Sequence, residues 1–415
     1  MAHAFPAVHF TAEGAASGAR KRAVERTGER TGVSSGVSAI ERYPGTLVIG
    51  GGLAGAAAAI WLARAGQPVR LWERDRQPAH KICGEFLSWE AQHWLAELGL
   101  DIDALGAVSI ARVKLVTAER VVDAPLGFVA KSLTRHRLDA ALLDCAQAAG
   151  ADIRRGVAAR GRGLDGVVAG SHGDIAAASV FLATGKHNLR GVPRDGGGTI
   201  NHLLGFKAYL RLAPAQRTAL SGHIELILFD GGYAGLQMVE RDAANLCFLL
   251  PAERLQAAGG DFATLLASLG HEVPHLANRL DGAMPLLDKP LAISGVPYGF
   301  LYKPDAADPA TLWRLGDQAA VIPSFTGDGM SVALHSARLA SLAFLMGKPP
   351  SAYHRRLARD VGGPLQRATL MQRLADGPGM HRSRVAAMVA LFPALLPLAA
   401  KFTRLSPGAL AKAVG

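Results

Sequence analysis

Three glycines, Gly50, Gly52 and Gly55, stand in a G-x-G-x-x-G pattern directly after the apolar run Leu47-Val48-Ile49. In that context each has a task. The first allows a tight turn, the second lets backbone approach a pyrophosphate, and the third lets a helix pack closely on a strand. The helix that opens there offers free N–H groups and a partial positive charge to phosphate oxygens. Glu73 follows, with 17 residues between it and Gly55. A carboxylate at that point can accept hydrogen bonds from both ribose hydroxyls of an adenosine. A second G-x-G-x-x-G, at Gly161, Gly163 and Gly166, follows Arg160 and precedes Val167-Val168-Ala169-Gly170. It reads as glycines in hairpin turns, not as a nucleotide site.

Another constellation lies far along the chain. Gly316-Asp317 closes an apolar run and is followed by Pro323, Gly327, Asp328 and Gly329, ahead of a helical stretch that begins at Met330. A carboxylate ending a strand can bind polyol hydroxyls. A glycine turn before a helix again gathers N–H groups where negative charge can be held. A nicotinamide enzyme with one dinucleotide fold needs no second phosphate-and-polyol site. FAD needs both, since one end is AMP and the other a ribityl chain carrying the flavin.

The elements that must hold these residues follow from periodicity. A buried strand at 46–49, an alanine-rich helix at 54–65 and a strand at 69–72 form one parallel unit. Helices are expected at 88–98 and 137–149, and a strand at 180–182. From 200 to 304 the texture changes to hairpins, with strands at 206–212, 223–229, 236–239 and 245–250. The parallel style returns with a strand at 312–315 and a helix at 330–345. The fold class is therefore α/β: a Rossmann-like FAD-binding domain with a parallel sheet, interrupted by an antiparallel-sheet substrate domain, with a helical carboxy-terminal region. The expected boundaries are a disordered extension at 1–43, the FAD-binding domain at 44–190 and 305–347, the substrate domain at 191–304, and a basic helical region at 348–415.

Composition narrows the class. The chain has 415 residues, more than the ~250–300 over which a single core grows. At 49% hydrophobic residues it is not a disordered chain. The net charge of +11 is uneven: residues 1–43 carry +2, residues 44–347 carry 28 charges of each sign, and residues 348–415 carry +9. A neutral body with a basic end is not the pattern of a nucleic-acid-binding enzyme. Cys83, Cys145 and Cys247 are too few and too scattered for a disulfide framework or a zinc site, so no metal is expected and a reducing, cytoplasmic setting is. No signal-peptide pattern is seen, and Glu13, Glu25, Glu29 and Glu41 argue against a transit peptide. No apolar run reaches the ~18 residues of a spanning helix.

The motifs resemble those of the FAD-dependent geranylgeranyl reductase-like enzymes, within the para-hydroxybenzoate hydroxylase-type flavoprotein superfamily. VIGGGLAGAAAAIWLARAG with LWERD is similar to the ADP-binding unit. KICGEFLS at 81–88 resembles the Lys/Arg-x-Cys-Gly-Glu/Asp segment, and LTRHRLDAALLDCAQAAGA the Arg-x-x-Leu-Asp helix start. FLATG resembles the strand closing the adenine side, and GDQAAVIPSFTGDGMSVALHSARLAS the second FAD motif. The resemblance implies that Gly50, Gly52, Gly55 and Glu73 hold the ADP half, that Arg135 contacts the phosphate or ribityl region, and that Asp317 binds ribityl hydroxyls. It places Pro323, Gly327, Gly329 and Met330 at the flavin's pyrimidine edge, and Lys81, Cys83, Gly84 and Glu85 on the flavin-side loop. The antiparallel sheet would roof a substrate cavity. Departures exist: Gln318-Ala319-Ala320-Val321 and Met330-Ser331 differ from the hydroxylase wording. The hydroxylases' Asp-Gly motif is not evident near Thr184-Gly185-Lys186, and the Trp-x-Trp-x-Ile-Pro motif of flavin halogenases is absent.

Cys83 and Glu85 are the catalytic candidates. Each has two readings: a thiol and an acid beside the flavin, or an inert buried Cys and a solvated loop carboxylate. At 385–400 the chain is uncharged and apolar but broken by Pro393 and Pro397, with Arg382, Arg384, Lys401 and Arg404 around it. The region 382–415 reads either as a peripheral membrane contact or as a helical cap. The leading functional expectation is C=C reduction of an apolar prenyl, lipid or polyketide-like substrate. NAD(P)H or a reduced electron carrier would supply the electrons. The alternatives are an FAD-dependent monooxygenase on an aromatic, polyketide or terpenoid substrate, and a non-catalytic flavin- or nucleotide-binding protein.

Overall fold

The computed structural model describes residues 40–240, 242–375, 387–389, 391 and 394–414. The first half comprises β1 (Glu41–Ile49), α1 (Leu53–Arg64), β2 (Val69–Glu73), β3 (Phe86–Leu87), α2 (Trp89–Glu97), β4 (Val108–Val116), β5 (Val121–Ser132), α3 (Arg135–Ala148), β6 (Asp152–Arg155), β7 (Ala159–Arg162), β8 (Val168–Gly170) and β9 (Ile175–Leu182). Then come β10 (Leu203–Arg211), α4 (Pro214–Leu220), β11 (His223–Phe229), β12 (Gly232–Val239), β13 (Ala243–Pro251), α5 (Ala252–Ala257), α6 (Phe262–Glu272), α7 (Pro274–Leu280), β14 (Met284–Pro285) and β15 (Leu291–Ser294). The chain continues with β16 (Phe300–Leu301), β17 (Leu312–Arg314), β18 (Ala320–Val321), α8 (Gly329–Leu345) and α9 (Pro350–Ala375), followed by helices Leu395–Phe402 and Pro407–Val414.

β1 lies between β2 and β9, parallel to both, with Val48 opposite Leu71 and Phe181. β6 extends the sheet beyond β2, and β17 pairs in parallel with β9. Alternation along β1 decides which side each residue faces. Val48 joins the core shared with α1, α2, α3, α8 and α9, while Leu47 and Ile49 join the opposite cluster with Val168, Val180 and Leu312. Small side chains on α1, Ala56 to Ala59, are fully buried and let neighbouring elements come close. The β7–β8 hairpin holds Gly161, Gly163 and Gly166, in keeping with the turn reading of that second glycine motif.

β1 begins at Glu41, where it pairs with Ile175, so the first strand takes in three residues assigned above to the amino-terminal extension. The remainder of that extension, 1–39, lies outside the described residues.

The second sheet has nine strands, in the order β14-β10-β13-β12-β11-β4-β5-β3 with β15 also on β10. Neighbours run antiparallel except β11 and β4. This corrects the expected boundary, because β3, β4 and β5 come from 86–132, inside the segment assigned to the FAD-binding domain. The two domains are interleaved. One face of β10 and β13 carries Phe206, Ala208, Leu246 and Phe248 against Phe262, Leu265 and Leu269 of α6. The residues of opposite parity, Lys207, Tyr209 and Asn245, therefore face the parallel-sheet side.

The described carboxy-terminal residues pack onto this body. Tyr353 on α9 donates to the Arg314 carbonyl at 2.8 Å. Val389, Leu395 and Leu396 meet Leu115 and Val122, and Leu405, Leu410 and Ala413 join the helix-side core. Met388, Leu391, Leu398 and Phe402 are exposed. Residues 376–386, 390, 392 and 393 lie outside the described residues. No helix among the described residues is long and apolar enough to cross a membrane.

Candidate flavin site

The turn between β1 and α1 is shaped for close approach. Gly50 has φ +105°, a conformation that side chains rarely adopt. A Cβ on Gly55 would overlap the Gly50 carbonyl oxygen, so α1 can approach the strand only because Gly55 has no side chain. Gly52 precedes α1, and no side chain caps that helix, which leaves its first N–H groups for a ligand. A Cβ on Gly52 would stand 3.1 Å from Nη2 of Arg135. Burial works against the Arg135 charge, but Asp139, bonded to its Nε at 2.7 Å and its Nη2 at 2.8 Å, raises the pKa and keeps it cationic. A fixed cation thus borders the glycine turn, as a pyrophosphate requires.

Glu73 ends β2, buried, and accepts the Gly51 N–H at 2.7 Å and the Asp75 N–H at 2.9 Å. The Lys81 ammonium pairs with Asp75 and lies 3.9 Å from Glu73. Lys81 thus points its ammonium from the start of the 81–88 loop towards the end of β2, while its carbonyl accepts from Lys207 Nζ at 3.1 Å.

The second half of the site forms where β17 ends. Gly316 and Asp317 turn tightly, and the Gly316 N–H donates to Ser336 Oγ of α8 at 2.8 Å. Arg194 braces this turn, donating to the Asp317 carbonyl at 2.9 Å and the Lys186 carbonyl at 2.6 Å. Gln318, one of the departures from the hydroxylase wording, donates to the Gly185 and His187 carbonyls. Pro323 leads into the turn at Ser324–Thr326, and Gly327 follows with φ +73°. A Cβ there would stand 2.6 Å from the Phe86 ring, whereas one on Gly329 would meet nothing within 4 Å. Met330 buries its side chain in the core, which leaves only its backbone for a ligand.

The loop carrying Cys83 and Glu85 is locked to the nine-stranded sheet. Glu85 is fully buried with φ +59°. Its Oε1 lies 2.7 Å from the buried Lys207 ammonium and accepts the Tyr209 hydroxyl at 2.6 Å and the Arg135 N–H at 2.7 Å. Its Oε2 accepts Asn245 Nδ2 at 3.2 Å. Gln237 and Asn245 also donate to the Gly84 carbonyl. Cross-strand register explains this: Tyr209, Asn245 and Gln237 stand in one row over β10, β13 and β12. Glu85 is thus not a solvated loop residue. Burial and Glu85 hold the Tyr209 phenol strongly protonated. Cys83 Sγ accepts the Glu85 N–H at 3.4 Å and lies near enough to Arg135 to interact with it electrostatically, at the join of loop and phosphate turn.

Sequence reading did not single out Lys186. Its half-buried ammonium donates to the Ile82 carbonyl at 2.6 Å. Burial alone would lower its pKa, but Asp317, then Tyr298, Cys83 and Cys247, raise it. Burial also pushes the Cys247 thiol up to about 11. Lys186, Asp317, Tyr298, Cys83 and Cys247 thus lie near enough to one another to interact electrostatically. The signal was a lysine directly after the Ala183-Thr184-Gly185 strand end. Lys207, Tyr209, Gln237 and Asn245 were missed too. Their signal was polar residues of one parity inside otherwise apolar strands.

The glycine turn, the acids Glu73 and Asp317, the flanking cations and the uncapped helix start fit the two ends of FAD. The chain has the fold of known FAD-dependent enzymes. It superposes on the myxobacterial chondrochloren halogenase CndH with a TM-score of 0.68 and 17% identity, covering 90% of this chain and 96% of that one. A geranylgeranyl bacteriochlorophyll reductase-like protein from Thermoplasma acidophilum gives 0.63 and 16%, covering 91% and 96%. PqsL of Pseudomonas aeruginosa, described as a probable FAD-dependent monooxygenase, gives 0.63 and 16%, covering 84% and 99%. No protein-family model matches the chain, and no curated sequence is similar to it.

Proposed function

We propose that the protein is an FAD-dependent oxidoreductase that reduces a C=C bond of an apolar prenyl, lipid or polyketide-like substrate. The observation that carries the FAD reading is the Gly50–Gly55 turn, closed to any side chain at Gly55 and bordered by Arg135 and Glu73. When bound, FAD accepts electrons from NAD(P)H or a reduced carrier and passes them on. The chain's own groups do the rest. Glu73 takes the ribose, Arg135 and the start of α1 take the pyrophosphate, and Asp317 takes the ribityl hydroxyls. The start of α8 holds charge that develops on the flavin's pyrimidine edge. The loop 81–88, fastened through Glu85, keeps Cys83 beside this path, and Lys186 offers a proton-bearing group close to Asp317.

Reduction is favoured by the Thr326-Gly327-Asp328-Gly329-Met330 wording, which is that of the reductase-like group. Monooxygenation is the second reading, supported by the shared fold of PqsL. Halogenation is not proposed, since Trp-x-Trp-x-Ile-Pro is absent. The test uses protein reconstituted with FAD, reduced without oxygen and mixed with a geranylgeranyl lipid. Flavin oxidation without oxygen, with two hydrogens gained by the product, supports reduction. Oxidation only after oxygen is admitted, through a distinct spectral transient and with one oxygen atom gained, favours the second reading.

A further inference from the structure

The carboxy-terminal end of the described chain reaches the start of α8. Asp328 immediately precedes that helix, is almost fully buried, and makes no capping bond to it. Glu90, in the first turn of α2, is fully buried as well. One oxygen of each carboxylate, Oδ1 of Asp328 and Oε1 of Glu90, has no hydrogen-bond partner among the described residues. The cation that meets both is Arg404. Its Nη1 lies 3.1 Å from Glu90 Oε2 and 3.6 Å from Asp328 Oδ1. Thr403 Oγ1 donates to Asp328 Oδ2 at 3.4 Å. The guanidinium lies 4.0 Å over the Phe128 ring and 6.0 Å from Phe86, the ring against which Gly327 is packed. Burial, and then Glu90, push the Asp328 carboxyl up to about 7, while Arg404 pulls it down.

Two buried carboxylates facing one guanidinium leave the charge behind this turn finely balanced. Removing the guanidinium would leave uncompensated buried charge or force a carboxyl to take a proton. A proton taken up by a carboxyl would offset the lost charge; where both carboxylates stay ionised, the field at the turn becomes more negative, and the start of α8 offers only about half a positive charge against it. We infer that Arg404 is a positioning residue for the flavin: it offsets Asp328 and Glu90 behind the Gly327–Met330 turn, so that the turn can hold the negative charge of the reduced flavin. This rests on the FAD reading above. It makes the basic carboxy-terminal segment part of the redox site, by way of one buried arginine rather than its bulk charge.

The test is the affinity of full-length protein for oxidised and for reduced FAD, with the two-electron potential read alongside. Arg404→Gln should weaken reduced FAD relative to oxidised FAD about tenfold, a shift of about 30 mV to more negative potential. Arg404→Lys should stay near wild type, and Arg404→Gln with Asp328→Asn should restore the ratio. Asp328→Asn alone should move the ratio the other way, which keeps the test decisive if Arg404→Gln folds poorly. Equal weakening of both redox forms in Arg404→Gln, unrelieved by Asp328→Asn, would mean a structural role only and overturn the inference. Wild-type protein that binds no FAD overturns both this inference and the function on which it rests. Wild-type protein that binds FAD, beside an Arg404→Gln variant with unchanged potential, overturns this inference alone.

Discussion

Glu85 and Lys207 meet at 2.7 Å with both side chains shut off from water. The pair joins a loop that follows the parallel sheet to the middle residue of β10, so it fastens one domain to the other. Breaking a buried pair from one side strands a charge, which costs about 3–5 kcal/mol. Lys207→Met should therefore lower unfolding stability by about that much. Combining it with Glu85→Leu should recover a large part, because no lone charge remains. Urea unfolding midpoints check this, and a Lys207→Met loss under 1 kcal/mol would contradict it.

The glycine turn gives a sharper outcome. Gly55→Ala places a methyl group onto the Gly50 carbonyl, so α1 must shift away from β1 and the pyrophosphate loses its seat. The variant should purify without flavin and gain none on incubation with FAD, as read from its visible absorption. Gly66→Ala, at a site where a Cβ meets nothing, should keep the flavin despite its strained φ.

Glu73 should report on ribose recognition. Hydrogen bonds to a charged group contribute about 1.5–3 kcal/mol each, so Glu73→Ala should weaken FAD about 10- to 100-fold. Part of the loss would come from the freed Gly51 N–H. Titration calorimetry against FAD measures it, and FMN, which lacks the adenosine, should bind the variant and the parent alike.

Acid stability should follow Glu225. Burial alone would raise its carboxyl, but hydrogen bonds from His275 at 2.9 Å and Arg279 at 2.8 Å pull it down to about 2. The folded pKa lies below the unfolded value near 4.5, so the stability it contributes is present above about 4.5 and is lost as pH falls towards 2. The size is on the order of 3 kcal/mol. Thermal melting between pH 6 and 3 should fall steeply for the parent and less steeply for Glu225→Gln, which starts lower.

The parts of this fold that the sequence reveals are those where one rule acts alone. The run 46–73 declares itself because apolar strand, glycine turn, alanine helix and acid come in fixed order. His223–Phe229 falls where alternation between turns predicts it. β4 and β5 were not anticipated, although β5 alternates exposed and buried residues from Val121 to Gly127. Pro125, Gly127 and the register shift near Ile110 mask that pattern, and parallel pairing of β4 with β11 cannot be read locally. The same limit applies to the site. Gly50, Glu73 and Asp317 stand in motifs. Lys186, Lys207 and Arg404 gain their roles only through contacts more than 70 residues away in sequence.

The central claim is that the chain binds FAD, and reconstitution tests it most directly. Protein stripped of small molecules, incubated with FAD and passed through a desalting column should retain about one flavin per chain, with the visible bands of a protein-bound flavin. The Gly55→Ala variant treated alongside should retain none. Parent protein that emerges colourless under saturating FAD would contradict the account.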